Sequence, residues 1–366
     1  MRSAYILARG LHPPWATGNA VYSLSVLNTI LKSKIYKEIF LIIQTDKHRI
    51  VKAQKEELRK FFDFIDKNKL NLYFVNSKFE AIRVLAGLLR SNADIHLLID
   101  RIPLFPTLYN NRIYKYMYVA SVLDKFNNFI KLYKLYLSNK KYRLVFSSPW
   151  LKSFYRMEKQ SLVLPPSNLF TSERVKDNRL IRETININDE YMLYMGWLRP
   201  ERFPIHPFIL LAKRTGIPLL IIGRWTENIY KEKEYMKFIQ KIINRYKLNN
   251  LVYVLRRELS VPEKLSVIKG SKVVLYPFIT DKINPPVVDP PLLVIESLLL
   301  NKPVITTPIY SLPWIRSFCS KLIIIPFDYD SLTLSKYIYN MDGINSKCLI
   351  KDVFKLYEQK FINLLY

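Results

Sequence analysis

The stretch DPPLLVIESLLLNKPVIT, Asp289 to Thr306, carries a single carboxylate, Glu296, inside an otherwise apolar helical pattern. An unpaired buried carboxylate is strongly disfavoured, so Glu296 either lies at the wet edge of its helix or faces groups that hydrogen-bond it. Pro290 and Pro291 suit the first helical positions, where a missing N–H costs nothing, and Asp289 then stands where an N-cap belongs. The free N–H groups of Leu292 and Leu293 would form an anion site. A phosphate there and a hydroxylated ring near Glu296 would be the diphosphate and ribose of a nucleotide. An ordinary capped helix with Glu296 in water fits the same residues equally well.

Two further stretches add cations. MLYMGWLRPERF places Gly196 after a strand, with Arg199 and Arg202 on the loop beyond it; PLLIIGRW repeats the arrangement with Gly223 and Arg224. Glycine lets a ligand approach the backbone, and arginine offers bidentate donors to phosphate oxygens. In the first half, DIHLLIDRIPLFP ends a strand on Asp100, an acid placed either for catalysis or to cap the next turn, while alternation puts His96 in the core. Gly18 and Asn19, in PPWATGNAVY, read either as an ordinary helix start or as one whose end could approach a ligand's phosphates. The four histidines and two cysteines have no metal-ligand spacing, so neither a metal nor a cofactor is expected, and Cys319 and Cys348 read as reduced thiols.

The elements that must hold these residues alternate regularly. SAYILARG, EIFLIIQ, LNLYFVN, DIHLLID and YRLVFSS read as strands, near-continuously apolar as parallel strands covered on both faces should be. After a charged stretch the rhythm restarts with EYMLYMGW, IPLLIIGRW, LVYVLRRE, SKVVLYP, KPVITT and KLIIIPF. At 366 residues, two domains are expected. The fold class is α/β, two Rossmann-like doubly wound domains with a ligand cleft at the strand ends. The reading places domain one at 1–170, a linker at 171–189, domain two at 190–345, and a C-terminal helix at 346–366 that packs back on domain one.

In order and spacing, YMGWLRPERF, PLLIIGRWTEN, LVYVLRRELSVPEKLSVIKGSKVVLYPF and DPPLLVIESLLLNKPVITTPIYSLPWI resemble the C-terminal domain of family 4 glycosyltransferases with the GT-B fold. The resemblance covers roughly residues 190–315 well and the first half more weakly. It implies a retaining, metal-independent transfer of a sugar from a nucleotide sugar to a glycan, lipid-linked or protein acceptor. By resemblance the catalytic set is Asp100, Arg199, Arg202 and Glu296, and the donor-binding set is Gly18, Asn19, Gly196, Gly223, Arg224, Asp289, Leu292, Leu293 and Glu296. The chain also departs from the family. The first of the family's two paired acids falls on Val288, with Asp289 one place along. Trp197 stands where an arginine is usual, Arg202 where a lysine is usual, and Asn301 takes the place of a turn glycine, which asparagine's tolerance of left-handed backbone permits.

The formal net charge of +27 is uneven: residues 1–170 hold 28 Lys/Arg against 11 Asp/Glu, the remainder 29 against 19. Such a surface attracts anionic lipid, nucleic acid or acidic substrates. Residues 111–143, dense in lysine and tyrosine, read as a basic amphipathic helix suited to peripheral contact with an anionic membrane, or as a surface helix with its rings in the core. No nucleic-acid-binding motif accompanies them. No apolar run reaches the roughly 18 to 20 residues of a membrane span. With Cys319 and Cys348 read as reduced thiols, a cytoplasmic protein is expected, with a location on the membrane face the further reading. A basic nucleic-acid binder and a non-catalytic sugar-nucleotide- or glycan-binding relative are the competing functions.

Overall fold

The computed structural model describes residues 2–9, 18–44, 70–75, 80, 83–84, 93–98, 115–120, 143–156, 161–166, 187, 190–200, 202–223, 229–257, 259, 261–280, 288–341 and 347–366. The chain divides into two compact units. One comprises Met1–Leu169, Pro285–Leu292 and Val353–Tyr366; the other comprises Phe170–Asn284 and Leu293–Asp352.

The first unit is built on β1 (Arg2–Arg9), α1 (Gly18–Lys32), β2 (Tyr36–Gln44), β3 (Leu70–Val75), β4 (Asp94–Leu98), β5 (Lys115–Val119), β6 (Arg143–Phe146), α2 (Pro149–Phe154) and the short β7 (Leu162–Val163). Its strands form one parallel sheet in the order β3-β2-β1-β4-β5-β6-β7. The apolar runs expected as strands are strands, because both faces of a parallel sheet are buried: Ile6, Leu41 and Val145 are all sealed from solvent.

β5 corrects the reading of 111–143 as one amphipathic helix. KYMYV is a buried strand between β4 and β6. Its alternating aromatics prefer the pleat, and Tyr116 and Tyr118 line the core rather than a membrane surface. Lys131, Lys134, Lys140 and Lys141 lie outside the described residues.

His96 is a core residue, fully buried as its alternation suggested. One ring nitrogen lies 3.0 Å from the Tyr36 hydroxyl, the other 2.9 Å from that of Tyr118, and Tyr116 stacks on the imidazole. Burial pushes its pKa down to about 3, so it is neutral in the fold.

The second unit follows the same plan with β8 (Tyr191–Met195), α3 (Ile205–Thr215), β9 (Leu219–Ile222), α4 (Ile229–Arg245), β10 (Val252–Leu255), α5 (Val261–Gly270), β11 (Ser271–Tyr276), α6 (Leu292–Leu299), β12 (Val304–Thr306), α7 (Leu312–Arg316), β13 (Leu322–Ile324) and α8 (Ser331–Tyr339). The parallel order is β10-β9-β8-β11-β12-β13. Strand order therefore reverses between β8 and β11, and such a switch point opens a crevice at the carboxyl ends of the two strands.

Last comes α9 (Ile350–Leu365), most of which belongs to the first unit. Its Phe361 and Leu365 enter that unit's core, Thr29 donates to Glu358 at 3.4 Å, and Arg2 donates to the carbonyl of Leu365 at 3.3 Å.

Cys319 and Cys348 are not free thiols: they form a disulfide. Ser320 N–H donates to Lys347 O and Leu349 N–H to Phe318 O, an antiparallel bridge that sets the two cysteines side by side. Nothing in a 29-residue spacing announces that pairing. With it goes the argument from reduced thiols to the cytosol. Among the described residues no helix is long and apolar enough to cross a membrane.

Candidate functional site

The loop after β8 is tightly folded. Arg199 N–H donates to Trp197 O, Arg202 N–H to Arg199 O and Phe203 N–H to Arg199 O, at 2.8 to 3.0 Å. The Tyr194 hydroxyl donates to Trp197 O at 2.9 Å, and the Phe203 ring stacks on Tyr194 with centroids 3.6 Å apart. This frame aims two cations at one indole. The guanidinium carbons of Arg199 and Arg202 each lie 4.5 Å from the Trp197 ring centroid. A guanidinium against an aromatic face is stabilised by the ring's quadrupole, so Trp197 organises two positive charges that would otherwise repel. Burial lowers the Arg202 pKa; Tyr276 and Tyr194 oppose that shift, and the charge of Arg199 adds to it. An arginine remains charged regardless. Two partly desolvated guanidinium groups, fixed at the carboxyl end of a strand flanking the switch point, can bind a doubly charged anion.

α6 starts at Leu292, after β11, and carries Glu296 one turn in. The carboxylate is not at a wet edge: it is 2% exposed, and Lys264 Nζ lies 2.5 Å from its Oε1. Lys264 belongs to the first turn of α5, beside Glu263, which Arg257 holds at 2.7 Å. The question posed by a lone acid in an apolar helix is thus answered by a cation 32 residues away. Lys264 carries little sequence signal of this role. Its one local signal is a cation in the first turn of a helix, where the macrodipole disfavours it and an acidic neighbour is needed. At the far end of α6, Asn301 adopts φ +63°, and Lys302 N–H reaches Ser297 O at 2.8 Å. Asparagine thus closes the helix as a glycine would.

Asp289 is not an N-cap. Asp289–Pro290 is a cis peptide bond, and the helix begins three residues after Asp289, so neither Pro290 nor Pro291 is helical. The Asp289 side chain is fully buried, where the Ser148 hydroxyl donates to its carboxylate and the Ser147 hydroxyl to its carbonyl; its own N–H donates to Ala120 O at 2.8 Å. Val288 lies in the hydrophobic core of the first unit. Val288 has no carboxylate to offer where the resemblance places one, and that of Asp289 is engaged by Ser148. Ser148 also caps α2 by accepting from Leu151 N–H. Ser148→Ala should lose about 2 kcal/mol of stability through cap and carboxylate partner together, measured by urea unfolding.

The sequence matches no protein-family description and no curated protein. Solved structures do match. HepE from Anabaena, in complex with UDP-glucose, superposes with a TM-score of 0.66 at 12% identity, over 100% of this chain and 98% of that one. A glycosyltransferase from Rickettsia africae superposes at 0.60 and 15% identity, over 99% and 93%. Sucrose-phosphate synthase from Thermosynechococcus elongatus gives 0.61 at 12%, over 100% and 95%. The fold is GT-B. At these identities the likeness is one of architecture.

Within the second GT-B unit, Gly196, Arg199, Arg202 and Gly223 gather at the carboxyl ends of β8 and β9, and Glu296 lies on the helix after β11. Leu292 and Leu293 form the first turn of α6, with the division between the units falling between them. Gly223 reads differently from the expectation of ligand approach: a Cβ there would stand 1.8 Å from the Gly196 carbonyl oxygen, so the neighbouring strand already requires the glycine. Gly18 and Asn19 open α1. Asp100 and Arg224 lie outside the described residues. Among those residues, no group of three or more His, Cys, Asp or Glu could hold a metal ion.

Proposed function

We propose that this chain is a glycosyltransferase that takes a sugar from a nucleoside diphosphate donor, retains its anomeric configuration and needs no metal. The observation that carries the reading is the pair Arg199 and Arg202, both 4.5 Å from Trp197, beyond the strand that flanks the switch point. As the glycosidic bond breaks, the diphosphate leaving group gains negative charge. Preorganised guanidinium groups and the N-terminal end of α6 meet that charge where other enzymes use a divalent cation. Glu296 accepts the ribose hydroxyls. The fold agrees with that of HepE, whose structure contains UDP-glucose.

Calorimetry with a panel of nucleotide sugars tests the reading, followed by a turnover assay with any donor that binds. Absence of binding to every donor rejects it. Glu296→Gln should weaken donor binding by about 1.5–3 kcal/mol, the worth of a hydrogen bond to a charged group. Unaltered affinity would remove Glu296 from the site. Because Glu296 is buried against Lys264, its thermal midpoint should fall as well, and the melt must be recorded beside the affinity.

A non-catalytic sugar-nucleotide- or glycan-binding relative is the second reading, favoured by Val288 in the core and the Asp289 carboxylate engaged by Ser148. Donor binding without turnover on any acceptor would select it. The acceptor is a glycan, a lipid-linked group or a protein. For a lipid-linked acceptor, the cations at 131, 134, 140 and 141 would draw the chain to a membrane. Cosedimentation with anionic vesicles at low salt and release at high salt is the expected result, and indifference to the vesicles would favour a water-soluble acceptor.

A further inference from the structure

The Lys264–Glu296 pair has no adequate explanation in stability. Both side chains are largely removed from water, at 19% and 2% exposure. Such pairs seldom outperform apolar residues of the same volume, because desolvation offsets the attraction. The pair is nevertheless tightly constructed. Arg257, just beyond β10, grips Glu263 and so pins the first turn of α5, the turn that carries Lys264. α6 in turn is buried along most of its length, which leaves Glu296 little rotameric freedom. Both helices start on the carboxyl side of the sheet, the side on which Arg199 and Arg202 lie.

We propose that Lys264 is a positioning residue for the ribose of the nucleotide. The inference rests on the reading of Glu296 as the ribose acceptor. The ammonium holds one carboxylate oxygen and fixes the plane of the group. An ionised carboxylate has about four acceptor sites on its two oxygens, so donation from Lys264 at Oε1 leaves capacity for two neighbouring hydroxyls. A cis-diol on a five-membered ring presents its two donors side by side, which suits a carboxylate held still. Without Lys264 the acid would have to be oriented at the moment of binding, and affinity that depends on the hydroxyls would drop.

The test separates ribose recognition from phosphate attraction. Wild type, Lys264→Met, Lys264→Gln and Lys264→Arg are titrated calorimetrically with ADP, GDP and UDP and with the 2′,3′-dideoxy form of each. Wild type should bind at least one ribonucleotide about tenfold more tightly than its dideoxy counterpart. Lys264→Met should reduce that ratio to near one while leaving the dideoxy affinity within about twofold. Lys264→Arg should restore most of the ratio, and Lys264→Gln, which keeps a donor without the charge, should fall between. If Lys264→Met fails to fold, Lys264→Gln carries the comparison. Equal weakening of both ligand forms would make Lys264 a structural or general phosphate-attracting cation and overturn the inference. A wild-type preference for ribose that the substitutions leave intact would overturn it while sparing the function proposed for Glu296. Failure of wild type to bind any of the six ligands would reject the nucleotide site itself, and the inference with it.

Discussion

If the proposed transferase reading holds, Arg202→Ala should lower turnover of the donor by about 10²–10³-fold, while donor affinity should fall much less. The asymmetry follows from when the charge appears. In the bound donor, the phosphate nearest the sugar is an ester oxygen short of its final charge; in the transition state that oxygen becomes anionic. A cation already fixed beside it strengthens its interaction as the bond breaks, and interactions that strengthen on the way to the transition state raise kcat. Arg202 fits this role because its loop is locked by the Arg202 N–H to Arg199 O bond and because burial has stripped part of its hydration. Water therefore screens the charge it offers less than it would in bulk solution. Arg199→Ala should act in the same direction, because its guanidinium shares the Trp197 ring. The measurement is the separation of kcat from KM with a saturating acceptor. A variant that raises KM alone would make Arg202 a ground-state binder, and the transition-state role would be withdrawn.

Much of this arrangement is legible in the chain, and what is not legible has a consistent physical cause. Eleven apolar runs announce strands because parallel strands buried on both faces must be apolar throughout. KYMYV does not announce a strand because a lysine- and tyrosine-rich stretch follows it, and its two tyrosines look like the rings of an interfacial helix until a sheet claims them. The cations after β8 were legible because glycine and arginine follow a strand end. The partner of Glu296 was not, because a side-chain pair between two separate helices leaves no periodic trace. Asp289 illustrates the same limit from the other side: Asp-Pro-Pro before an apolar run has the composition of a cap, yet its carboxylate goes to Ser148, 141 residues away. Local signals say that an acid needs donors; only tertiary structure says which donors are near.

Gly223→Ala should cost on the order of 4 kcal/mol, at the upper end of what an added methyl group does to a packed core. The reason is that the obstacle is backbone. The new Cβ would lie 1.8 Å from the Gly196 carbonyl oxygen, 3.0 Å from its carbon and 3.3 Å from Leu198 Cγ. A side chain could rotate away, but Gly196 is held: its N–H donates to Ile222 O at 3.0 Å, and the Gly223 N–H donates to Leu255 O at 3.2 Å. β8, β9 and β10 would have to separate at their carboxyl ends, disturbing the loop that carries Arg199 and Arg202. Gly196→Ala makes the natural control. Its Cβ would meet the Tyr194 hydroxyl at 3.1 Å, the far end of a side chain, and it should cost about 1 kcal/mol. At roughly 2–4 °C per kcal/mol for a unit of this size, Gly223→Ala should melt about 10 °C below wild type. Urea unfolding of both variants at matched concentration decides the matter. A Gly223→Ala protein with a wild-type midpoint and impaired donor binding would show that the glycine serves a ligand's approach, and the strand-packing account would be wrong.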